Sequence, residues 1–233
     1  MNFFLLLCIP FFAASLVHLL ATLFNQKVAD ITKCFLMPLL ALAYIIFSIG
    51  NSIENQDVLK IIFLTCALAT SCVGDYFLLK PENTNRYYLG VTAFSICHFC
   101  FFIPMILQHP LKIYSVWTLI IPIIIYLAFL VAIYFMLKKP KGLMIIFTVG
   151  YGAILFLINY ACLNPIFGFY ANSHTLSTVP QYLWIRLAGN LVFLLSDSIL
   201  SNTLFVKDFK FSRFFIMITY ICAEFLLILS FVL

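Results

Sequence analysis

The sequence predicts an all-α polytopic membrane protein, a bundle of about eight transmembrane helices, and two observations carry that reading. Of its 233 residues 65% are hydrophobic and only 9% are charged, against roughly 25% charged in soluble domains, so the chain cannot cover a water-facing surface with its own polar groups. The apolar residues also come in long continuous runs rather than ten-residue alternating segments. In hydrocarbon every backbone donor and acceptor needs an internal partner, and runs of about 20 residues satisfy this as helices rather than as a barrel.

Read between polar breaks, the spans fall near 3–24, 33–50, 58–79, 88–107, 113–137, 142–163, 182–202 and 212–232, within one transmembrane domain covering 1–233. The first run lacks a basic n-region and reaches about Phe24, which reads as a span rather than a cleaved leader. The second lies between Lys33 and the turn residues Gly50-Asn51-Ser52, and the third stops at Lys80-Pro81-Glu82-Asn83. The fourth ends at His109-Pro110 and the fifth at Lys138-Lys139-Pro140-Lys141-Gly142. After the sixth comes the longest connector, about Asn164 to Gln181, with Pro165, Gly168 and Pro180. The segment holding Lys207, Lys210 and Arg213 separates the seventh span from the eighth.

Orientation follows the distribution of basic residues. The odd-numbered connectors hold ten (Lys27, Lys33, Lys80, Arg86, Lys138, Lys139, Lys141, Lys207, Lys210 and Arg213), whereas the even ones hold Lys60 and Lys112, with Arg186 just inside span seven. Odd connectors are therefore expected to face the cytoplasm, with both termini on the non-cytoplasmic side. Compact loops fit a bacterial inner membrane. The net charge of +5 is spread singly between apolar runs, which suits anionic headgroups of membrane lipid and no nucleic acid.

Residues that oppose insertion are the informative ones. An Asp near a span's centre costs about 2.5–3.5 kcal/mol, so intramembrane acids usually face a bundle interior or a wet cavity. Asp75 in span three, His98 in span four, Asp197 in span seven and Glu224 in span eight stand out. A polar seam that merely joins helices is the competing reading, and four such residues in one small chain weaken it. Asp75 precedes Lys80, and Asp197 precedes Asn202, by five residues, about 7.5 Å along a helix, which sets both carboxyls at similar depth in the cytoplasmic third. Arg186, Asn190, Asp197 and Ser201 share one helical face, as do Arg213, Tyr220 and Glu224. Such stripes are expected to line an aqueous or headgroup-filled cleft. Asp75 to His98 and Asp197 to Tyr220 are both 23 residues, an internal echo that would suit two four-helix halves in parallel orientation.

Other motifs carry little. Cys97-His98-Phe99-Cys100 has no second ligand pair, and neither a nucleophile elbow, a zinc helix nor a phosphate-binding glycine loop occurs. No metal and no cofactor is called for. His18, on a face with Ser15, Thr22 and Asn25, reads as a packing or cavity residue.

The segment Gly74-Asp75-Tyr76-Phe77-Leu78-Leu79 followed by Gly90-x-x-x-Phe94-x-x-x-His98 resembles the span-three and span-four signature of the lysoplasmalogenases, the YhhN-like membrane family. Gly189-x-x-x-Phe193-x-x-Ser196-Asp197-Ser198 is similar to its span-seven signature, and Thr32-Lys33 resembles its lysine at the start of span two. Tyr220-x-x-x-Glu224 falls where that family has a tyrosine followed by a glutamine. Phe101 stands where the family often has a tyrosine, and Cys34 where a proline commonly follows the lysine.

What the resemblance implies is hydrolysis of the vinyl-ether bond of a lysoplasmalogen to a fatty aldehyde and a glycerophospho-ethanolamine or -choline. A vinyl ether offers no carbonyl to a nucleophile. The difficult step is protonation of the β-carbon, which creates an oxocarbenium ion for water to capture. One carboxyl carrying its proton and one ionised carboxylate suffice, as in glycosidases. Asp75 and Asp197 are the expected pair, with either as the acid, and His98 is expected to orient water or shuttle a proton. Tyr220, Glu224 and Asn190 would complete the polar wall, and Lys33 and Arg213 would meet the phosphate of the lysophospholipid substrate. A proton-coupled transporter would use the same buried acids. An intramembrane aspartyl protease fits poorly, because Cys72 stands at the first glycine of its G-x-G-D motif and no Tyr-Asp partner exists.

Overall fold

A computed structural model describes residues 2–50, 55–80, 83–136 and 142–233. The basic cluster Lys138, Lys139 and Lys141 and the turn residues Asn51, Ser52, Pro81 and Glu82 lie outside them. Among the described residues all regular structure is helical: α1 (Asn2–Leu7), α2 (Ile9–Phe24), α3 (Gln26–Gly50), α4 (Asn55–Phe77), α5 (Thr84–Gln108), α6 (Val116–Met136), α7 (Leu143–Ser173), α8 (Gln181–Phe205) and α9 (Ser212–Val232), with a 3₁₀ turn at Leu176–Thr178. Helices α3, α4, α5, α7, α8 and α9 are each long and apolar enough to cross a membrane, and Ile9–Phe24 and Val116–Val131 are shorter apolar stretches. The protein is a polytopic helical membrane protein.

Three elements depart from the expected spans. The first is split at Cys8, because Pro10, at the start of α2, has no N–H for the carbonyl one turn back. Helix α3 begins at Gln26 rather than 33: Asn25 alone links it to α2, and the Asn25 side chain accepts from the Val28 amide at 3.3 Å. Helix α7 continues to Ser173, so much of the expected connector is helical despite Pro165. Asn164 holds that region by pairing with both backbone groups of Lys112, at 3.0 and 2.8 Å. A left-handed His174 (φ 57°) then ends the helix.

Helices α2, α3, α4, α5, α7, α8 and α9 pack in sequence and close into a ring through α9 on α2, while α6 packs chiefly on α7. The tightest pairs are α4/α5 and α8/α9. A Cβ at Gly90 would stand 2.6 Å from the Leu78 side chain, and one at Gly189 3.1 Å from the Leu227 backbone, so glycine permits both approaches. These are the corresponding pairs of the two expected halves; α2, however, touches both α3 and α9, a position α6 does not share.

Inside α3, Pro38 frees the carbonyl of Cys34, and the Cys72 thiol of α4 donates to it at 3.3 Å. Cys34 adjoins Lys33 and Cys72 lies one turn before Asp75, so that bond links α3 to α4 beside the place where those two residues meet.

Candidate functional site

Asp75 follows Gly74 on α4 and is 1% exposed. Its Oδ1 lies 3.1 Å from Lys33 Nζ of α3, and its Oδ2 accepts from the Tyr220 hydroxyl of α9 at 2.8 Å. Ser71, one turn earlier on α4, places its hydroxyl 2.6 Å from Tyr220 and 2.6 Å from Glu224 Oε1. Lys33, Asp75, Tyr220, Ser71 and Glu224 thus form one chain of polar contacts across three helices. Desolvated groups bonded in this way hold a single geometry, since breaking any link strands a buried partner.

Asp197 of α8 accepts the Tyr151 hydroxyl of α7 at 2.5 Å. Asp75 turns to Lys33 and Tyr220 and Asp197 to Tyr151, so the two acids belong to separate groups of polar contacts. His98 of α5 is fully enclosed: Nδ1 is 2.7 Å from the Phe94 carbonyl, and its ring meets Phe193 and Tyr151 edge-on at 4.5 and 5.6 Å. An Nδ1–H given to that carbonyl leaves a lone pair on Nε2, which has no partner. His98 meets Tyr151, which donates to Asp197, through a ring contact alone.

Two cavities of about 280 Å³ each lie nearby; Asp197 lines one, Asp75's partner Lys33 lines the other, and Asp75 itself lines neither. One is largely apolar, is bounded by α5, α7 and α8 with Phe129 of α6, and has Asp197 and Tyr151 in its wall. The other is polar and holds Lys33, Arg213, His18, Asp30, Asp208 and Gln26. Leu78, Leu200 and Leu204 line both. Leu78 lies three residues beyond Asp75 and Leu200 three beyond Asp197, so a leucine partition stands one turn from each acid.

The expected cleft along span seven is corrected. Asp197 and Ser201 line the apolar cavity, but Arg186 and Asn190 line neither. Asn190 donates to Cys162 Sγ of α7 and to the Arg186 carbonyl of its own helix, both at 3.0 Å, so both amide hydrogens are taken. Two participants escaped the sequence reading. Ser71 carried a signal, because it lies four residues before Asp75 on the same face. Tyr151 carried none, because its pairing depends on the register of α7 against α8. Among the described residues no group of three or more metal-ligating side chains occurs.

The fold and the buried acids define a polytopic membrane protein with an ionisable interior. The YhhN family model matches residues 28–231, and the chain belongs to that family, the family of lysoplasmalogenases. No curated protein and no solved structure matches the chain.

Proposed function

We propose that this protein hydrolyses the vinyl-ether bond of lysoplasmalogens, with Asp197 as the proton donor and Asp75 as the carboxylate. The observation that carries the reading is the unequal pairing of the two acids. Asp75 is matched by the Lys33 cation, whereas among the described residues Asp197 has no ion-pair partner and faces an apolar cavity. Opposite charge nearby favours an ionised carboxyl, and apolar surroundings favour a neutral one.

Asp197 delivers its proton to the β-carbon of the vinyl ether, and the double-bond electrons form the new C–H bond. The resulting oxocarbenium ion is stabilised by the Asp75 carboxylate. Water adds to the carbon bearing the ether oxygen and loses a proton toward the carboxylates. The hemiacetal then collapses, breaking the C–O bond and releasing a fatty aldehyde and the glycerol hydroxyl. One water is consumed and the acid regains its proton. His98 packs its ring edge-on against Tyr151 and so supports the residue that holds Asp197.

Lys33 and Arg213 supply the charge for the phosphate in the polar cavity. We place that cavity at the cytoplasmic leaflet, in keeping with the lysine and arginine bias. The reacting bond then crosses the partition of Leu78, Leu200 and Leu204 beside the two acids. The test is purified protein in nanodiscs with a lysoplasmalogen, assayed for fatty aldehyde, and an ester-linked lysolipid as control. Aldehyde from the vinyl ether alone is the expected result. Absence of aldehyde together with substrate uptake into sealed vesicles would replace this reading with a transporter.

A further inference from the structure

Apart from Ser201, the polar groups in the wall of the apolar cavity are already bonded to one another or to the backbone. Tyr87 and Thr148 share a hydrogen bond of 2.7 Å, Tyr151 donates to Asp197, and Ser198 donates to the Leu194 carbonyl at 2.7 Å. None of the buried polar atoms left unpaired among the described residues belongs to this wall. A polar ligand would find few partners there, and Val91, Phe94, Leu155, Phe129 and Phe205 offer hydrocarbon instead. The polar cavity beyond the leucine partition is the reverse, with Lys33, Arg213 and the unpaired Nε2 of His18. An amphiphile with one charged end and one apolar end matches the pair.

Gly152 adds a second, independent observation. It is buried, it lines the apolar cavity, and a Cβ built on it would meet nothing within 4 Å. A buried glycine normally marks a close approach; this one faces open space. It lies beside Tyr151, at the level of Asp197.

We propose that this cavity is the subsite for the hydrocarbon chain of a single-chain lysophospholipid, and that Gly152 sets how much chain it holds. The assignment rests on the lipid-hydrolase reading for its substrate class. The lipid-hydrolase reading supplies a single chain, and a cavity of about 280 Å³ bounds how much of it can enter. The chain segment nearest the headgroup is gripped there, with the reacting bond held at Asp197.

The experiment uses the full chain in nanodiscs and a non-hydrolysable alkyl-ether lysophospholipid carrying a mid-chain diazirine. Photolysis is expected to label peptides of α7 and α8 that contain Leu155 and Leu194, and unlabelled lysolipid, but not a diacyl lipid, should compete. Gly152→Phe should reduce labelling, and turnover of long-chain relative to short-chain substrate, by roughly tenfold, since excluding two methylenes accounts for that factor. Gly150→Phe, on an exposed face with equally open surroundings, should change neither. Gly152→Leu, smaller and apolar, serves should the phenylalanine variant fail to fold. Label spread along lipid-facing α6, or unchanged in both folded Gly152 variants, overturns the subsite. Specific labelling without aldehyde release would keep the subsite and remove the hydrolase. Aldehyde release with labelling indifferent to Gly152 would do the opposite.

Discussion

Lys33 Nζ stands 3.1 Å from Asp75 Oδ1 and ties α3 to α4 at a point where the carboxylate is 2% exposed. Such a pair is weak evidence of net stabilisation, yet removing one partner strands the other charge at a cost of about 3–5 kcal/mol. Lys33→Met should therefore lower the melting temperature sharply. Lys33→Met with Asp75→Asn should recover most of the loss, because no charge remains and the amide oxygen still accepts from Tyr220. Both proteins should release no aldehyde. Equal instability of the single and double variants in a thermal melt would show that the pair is not what joins these helices.

Asp197→Asn separates chemistry from structure at the second acid. The amide keeps an oxygen for the Tyr151 hydroxyl, so expression and melting temperature should match the parent while aldehyde release falls to background. Tyr151→Phe removes a hydrogen bond to a carboxyl, and contacts of that kind contribute about 1.5–3 kcal/mol when charged. A fall in kcat of about tenfold is expected if half of that is felt in the transition state. Steady-state kinetics with one lysoplasmalogen decide both points.

The fold class was legible because composition and run length alone exclude a soluble chain. The acids were legible because an Asp inside an apolar run has few bland explanations. Helical periodicity failed at Asn190: it places residues on one face but cannot say which neighbour that face meets, and here Cys162 of α7 takes the amide. The extension of α7 was hidden because Pro165 and Gly168 read as breakers, and only the Asn164–Lys112 pairing explains their place within a helix. Tyr151 and the leucine partition were illegible for a related reason: both arise from contacts between α4, α7 and α8, which no single stretch of sequence encodes.

Glu224 yields a prediction from counting protons. Three oxygen–oxygen contacts link Asp75, Tyr220, Ser71 and Glu224, and the two hydroxyls supply two hydrogens. A neutral Glu224 provides the third, and with it every hydroxyl in the row points toward Asp75. Its other oxygen, Oε2, is buried without a partner, a place that an ionised carboxylate would occupy only at high cost. Glu224→Gln should then be nearly silent, because an amide N–H donates where the acid O–H did. Glu224→Leu should be destabilised and slow. Infrared difference spectra of the parent against Glu224→Gln should show loss of a protonated-carboxyl band, and a lost carboxylate band instead would overturn the assignment.

Arg186 offers the last prediction, on stability rather than chemistry. It is 1% exposed, and its guanidinium bonds Gln108 Oε1 at 2.9 Å and Ser230 Oγ at 3.2 Å. It also lies over the Phe231 ring at 4.1 Å and near Tyr182 at 5.4 Å. The planar fork thus joins α5, α8 and α9 through two amino-acid side chains and two ring faces, a geometry that an ammonium cannot reproduce. Arg186→Lys should lose about 2 kcal/mol, on the scale of one or two hydrogen bonds to a charged group, with Arg186→Ala lower still. Arg186 precedes Asp197 by eleven residues, roughly 16 Å along α8, and lines neither cavity. Aldehyde release per folded molecule should therefore stay close to the parent's in Arg186→Lys while the melting temperature drops. An unchanged melt would mean that other contacts hold these three helix ends together.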